Sequence, residues 1–115
     1  MYNRVLIDYK LLRITFQDLK KIYGNPYEHS CSISVVISKN DILNAIRLYE
    51  TNTIDIKELI CWADVVRFSG LYTYPDDLIE QEQVATAIDM IEDIELFDIC
   101  VDDIYFSKIK NILKM

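Results

Sequence analysis

Only two glycines (Gly24, Gly70) and two prolines (Pro26, Pro75) punctuate the 115 residues. A many-stranded fold needs frequent tight turns, and glycine and proline supply most of them. Their scarcity therefore favours helices over a β architecture. It also rules out a Walker loop or a dinucleotide fingerprint, because both need closely spaced glycines. The length is that of one domain, read as residues 1–115. With 51% apolar residues and eight tyrosines, the chain can build a core and is too apolar for disorder.

Apolar periodicity and capping signals divide the chain into segments. A first helix is expected over roughly Asn3 to Arg13, with Leu6, Ile7, Leu11 and Ile14 inward, and its β-branched content leaves a strand as the alternative. Thr15 opens T-F-Q-D, a capping-box spacing, and Leu19, Ile22 and Tyr23 form an apolar face that stops at Gly24. Residues 32–38, SISVVIS, read as a short strand, with a partner expected from the amino terminus or from the segment near 96–101. Ser38 and Asp41 have capping-box spacing before a helix that ends near Asn52. Asp55 starts another, lined by Ile56, Leu59, Ile60, Ala63 and Val66, with Trp62 on the flank and Gly70 as the stop. LYTYPDD reads as a turn. From about Gln81 to Ile94, Val84, Ala87, Ile88, Ile91 and Ile94 face inward. LFDICV is open between loop and short strand, and Asp102 can cap a last helix through Lys114. The expected architecture is mainly α: a compact bundle of five to six helices, with room for one short two-stranded β element.

Charge is distributed unevenly. Arg67 is followed by no lysine or arginine until Lys108, and the intervening positions carry eleven carboxylates. Residues 1–67 sum to +1, residues 68–107 to −11 and residues 108–115 to +3. Such a surface repels phosphates, so direct nucleic-acid binding is not expected. It attracts a basic partner over a Debye length of about 10 Å. A solvated helix face normally intersperses lysines to relieve repulsion between carboxylates three or four residues apart. The expected partner-binding residues are Tyr72, Tyr74, Asp76, Asp77, Glu80, Glu82, Asp89, Glu92 and Asp93. The tyrosines belong to the set because aromatic anchors dominate interface energetics. Tyr72 and Tyr74 alternate, so both cannot point the same way unless the backbone turns, and the alternative is that one of the two is core.

Catalytic signals are sparse. His29 is the single histidine, two residues from Cys31, and that spacing implies no third orienting group. No EF-hand loop or Glu-x-x-His pair exists, so neither a metal nor a cofactor is expected, and the chain is not expected to be an enzyme. Cys31, Cys61 and Cys100 are odd in number and widely separated, and read as buried free thiols of a reducing compartment. No secretory leader and no apolar run of about 18 residues is visible. The expected location is the cytoplasm, with no membrane contact.

Residues 37 to 66, ISKNDILNAIRLYETNTIDIKELICWADVV, carry a resemblance. The run of strand, helix of D-I-L-x-A-I type, polar turn and helix ending in Trp-Ala-Asp resembles small immunity proteins of bacterial contact-dependent growth inhibition and other polymorphic toxin systems. Asp41, Ile42, Leu43, Ala45, Ile46, Glu58, Leu59, Trp62, Ala63 and Asp64 match; after the helix, Arg67-Phe68-Ser69-Gly70-Leu71 departs from a more acidic run. The resemblance implies a non-catalytic protein that neutralises a cognate toxin domain, here expected to be a basic nuclease. The alternative is an acidic regulatory or structural adaptor that binds a basic partner subunit or its own copy.

Overall fold

The computed structural model describes residues 2–28 and 34–114. Within them the chain forms α1 (Tyr2–Lys10), α2 (Phe16–Tyr23), a single 3-10 turn (Pro26–Glu28), β1 (Val35–Val36), α3 (Lys39–Glu50), α4 (Ile56–Phe68), β2 (Tyr72–Thr73), α5 (Leu78–Leu96) and α6 (Asp103–Lys114). The result is the mainly helical bundle that the punctuation predicts. The amino-terminal segment is a helix, not the alternative strand.

Three helix starts are closed capping boxes. Thr15 with Asp18, Ser38 with Asp41 and Asp55 with Glu58 each exchange side-chain and backbone bonds, which satisfies amide groups that have no carbonyl partner in the first turn. Asp102 accepts from the Tyr105 amide at 2.9 Å, as expected for a cap of the last helix. The helix ends show how so few glycines suffice. Gly24 and Gly70 follow α2 and α4 with positive φ. The ends of α1, α3 and α5 reverse through Leu12, Asn52 and Asp98, also at positive φ. Each of these three carries the paired bonds of a Schellman motif, such as Arg13 N–H to the Asp8 carbonyl and Ile99 N–H to the Ile94 carbonyl.

The core gathers around α4, whose Leu59, Trp62, Ala63 and Val65 are fully buried. Trp62 is in the core, as its place beside the apolar stripe favours, and its indole N–H donates to the Lys10 carbonyl at the end of α1. α5 packs against α3, α4 and α6, and its five expected inward residues, Val84, Ala87, Ile88, Ile91 and Ile94, are all buried. Two inward assignments are corrected: Ile7 and Ile22 are 40% and 46% exposed. In α1 the buried partner of Leu6 is Tyr9, one helical turn on, which places Ile7 on the outer side. The cysteine expectation also changes, since Cys61 is half-buried and Cys100 is exposed, both as free thiols; Cys31 lies outside the described residues, as does His29.

The strand reading holds for Val35 and Val36, while residues 32 and 33 lie outside the described set. Its partner is neither the amino terminus nor the 96–101 segment. β1 pairs in parallel with β2, Val35 opposite Tyr72 and Val36 opposite Thr73, inside the stretch read as a turn. Val35 N–H donates to the Leu71 carbonyl and Ile37 N–H to the Thr73 carbonyl. A parallel pair requires a long crossover, and α3 with α4 is that crossover. In the 96–101 segment Leu96 is still the last residue of α5, and residues 97–101 cross to α6 without regular structure.

Candidate partner-binding surface

α5 positions most of the acidic segment. Asp77 caps it by accepting from the Ile79 and Glu80 amides, and its 19 residues extend the helix about 28 Å. Because one face is spent on the core, the remaining carboxylates are distributed along the outer faces and at the two ends. They fall into three groups with different surroundings.

At the amino end, Asp76 and Glu82 are exposed and Asp77 is occupied as the cap. Glu80 is half-buried, and its Oε2 accepts from the Lys39 amide, the first of α3, at 3.2 Å. That places a carboxylate at the positive end of α3. Leu78 and Ile79 are 76% and 71% exposed beside them.

In the middle, one cation holds two carboxylates. The Arg67 guanidinium lies 2.6 Å from Asp89 Oδ1 and 3.2 Å from Glu92 Oε1. No lysine or arginine within the acidic segment balances Glu92; Arg67 does so from α4, 25 residues earlier. Asp64, one turn before Arg67, shares a hydrogen bond with Glu92. Burial first, then this bond, raise the Glu92 carboxyl to about 7 against the opposing pull of Arg67. Tyr27 sits in the same field: burial and then the Asp64 charge push its phenol up to about 12. Tyr74 is half-buried, its phenol raised by burial and next by Asp89.

At the carboxyl end, Asp93 is half-buried, while Glu95, Asp98, Asp102 and Asp103 are exposed. Exposed apolar side chains interrupt them: Leu96 at 74%, Phe97 at 67% and Ile104 at 67%.

The nine expected contact residues therefore do not form one surface. Tyr72 is corrected to the core: it is 6% exposed, and its O–H donates to the Leu6 carbonyl at 2.7 Å. The alternative reading, that one of the alternating tyrosines turns inward, is the one the burial of Tyr72 favours. Tyr74, Asp89 and Glu92 belong to the Arg67 cluster, whereas Asp76, Asp77, Glu80 and Glu82 share the amino end of α5. Asp93 stands near the other end. Periodicity missed Asp64 and Arg67, although their three-residue spacing on α4 matches that of Asp89 and Glu92 on α5. It also missed Leu96 and Phe97, adjacent apolar residues of which at most one could have turned inward.

Among the described residues, nine of the eleven carboxylates between 76 and 103 make no salt bridge. The lysines at the chain ends are used elsewhere or remain unpaired with this segment: Lys10 binds Asp41 at 3.1 Å and Lys110 binds Glu50 at 2.7 Å. No group of three or more His, Cys, Asp or Glu side chains among the described residues converges to hold a metal ion. Among the described residues no helix is long and apolar enough to cross a membrane.

The fold and these groups define the class: a small helical bundle whose long α5 and the segment after it carry most of the carboxylates, two of them paired with Arg67 of α4. Compared with known proteins, the chain matches no family model, no curated protein and no solved structure.

Proposed function

We propose that the protein is a cytoplasmic immunity protein, a non-catalytic inhibitor that binds a cognate, basic toxin domain through its acidic flank. The observation that carries this reading is the excess of carboxylates on and after α5 that make no salt bridge within the described chain. Leaving like charges uncompensated costs folded stability, and a cationic partner would offset that cost on binding. Carboxylates placed where a nuclease receives phosphates would compete with its substrate, and the long-range field would speed association. The resemblance over residues 37 to 66 supports the same reading.

The test is co-expression. The polypeptide encoded immediately upstream should arrest growth when produced alone, and this protein should restore growth and co-purify with it. Growth arrest without rescue would overturn the proposal. Binding to a non-toxic basic subunit, again without rescue, would favour the acidic adaptor instead.

A further inference from the structure

We infer that the corner where α5 passes into α6 docks a protein segment presenting apolar side chains between lysines or arginines. The inference rests on the proposed function for its class of partner, and it moves the contact away from the amino end of α5. An open groove of about 680 Å³ runs between the start of α4 and the end of α5. Its floor is apolar, built by Ile56, Ile60, Ile94, Ile99 and Val101. Its rim is anionic through Asp64, Glu95 and Asp98, against one cation, Lys57. Leu96 and Phe97 stand in sequence between the rim residues Glu95 and Asp98, and both are more than two-thirds solvent-exposed. Ile104 is exposed at the opening turn of α6.

Exposed apolar side chains next in sequence to a groove whose charged lining is mainly anionic are the anatomy of a contact surface. The rim sign selects the occupant. A second copy of this chain would bring the same carboxylates face to face, and an anionic lipid surface would be repelled. A cationic, amphipathic segment meets both halves of the surface, apolar side chains in the groove and ammonium or guanidinium groups at the rim. The amino end of α5 is a poorer candidate, because two of its carboxylates already accept internal amide bonds.

The test uses the full chain, labelled with ¹⁵N, and a synthetic helical peptide of about 14 residues with leucine and lysine on opposite faces. A second peptide replaces every leucine with serine. The first should shift amide resonances of residues 56–64 and 94–104, and should bind at least about tenfold more tightly than the serine version. Leu96→Ser with Phe97→Ser should weaken binding by about tenfold, while Leu78→Ser with Ile79→Ser, the same change at the amino end of α5, leaves it within about twofold. Both pairs are exposed, so neither should unfold the chain. Shifts confined to residues 76–82, or equal binding of the two peptides, would overturn the corner while leaving the acidic-flank reading intact. Self-association abolished by Phe97→Ser would overturn it in favour of a second copy. Absence of any shift at low salt would also overturn it, with the broader reading then decided by growth rescue alone.

Discussion

Single side chains in this protein are set by what they desolvate. Glu92 is the clearest case, because a carboxyl screened from water and bonded to Asp64 keeps its proton up to about 7. Folded chains thus hold a proton at pH values where the unfolded carboxyl has released it. The stability tied to this proton is complete below about 4.5, declines as pH rises and is gone above about 7. Glu92→Gln, which keeps the neutral shape, should flatten that decline in urea titrations across the same window. At pH 8 it should leave the chain about 1 kcal/mol more stable, a value discounted because solvent reaches part of the carboxyl. Tyr72 illustrates the opposite error of reading a surface role into a core residue. Tyr72→Phe removes its bond to the Leu6 carbonyl, should cost about 1 kcal/mol in chemical denaturation, and should leave partner affinity unchanged because the hydroxyl is enclosed.

Secondary elements follow from local signals wherever those signals are long enough. Asp98 holds a left-handed conformation, φ 50°, in the reversal after α5, where a side chain adds steric cost that glycine lacks. Asp98→Gly should therefore raise stability by about 0.5–1 kcal/mol in thermal melts, the lost carboxylate also relieving repulsion from its neighbours. The inward faces of α4 and α5 were legible because apolar residues recur at helical spacing over three or more turns. The β1–β2 pair was not, since two residues per strand leave no periodicity and the partner lies beyond two helices. The same distance explains the site. Which carboxylates α5 exposes could be read from its stripe, but their pairing with Arg67 depends on how α5 lies along α4. No local pattern encodes that, and equally none marked Leu96 and Phe97 as unpartnered.

Across the whole molecule, net charge is −7 and the excess sits in its last third. Few ion pairs oppose it, so added salt should screen more repulsion than attraction. Raising sodium chloride from about 20 mM to about 0.5 M should increase Tm by a few °C, and a drop in calorimetry would show that the paired cations dominate instead. The same salt should slow capture of a basic partner, which stopped-flow mixing would register as a falling association rate. The short parallel pairing has a different meaning at this scale. Ile37 and Leu71 flank residues hydrogen-bonded across β1 and β2, so the chain leaves and rejoins one place after its two central helices. Severing the backbone at the exposed Asn52 would open a loop already stitched shut at its base, and the two pieces should still elute from a sizing column together.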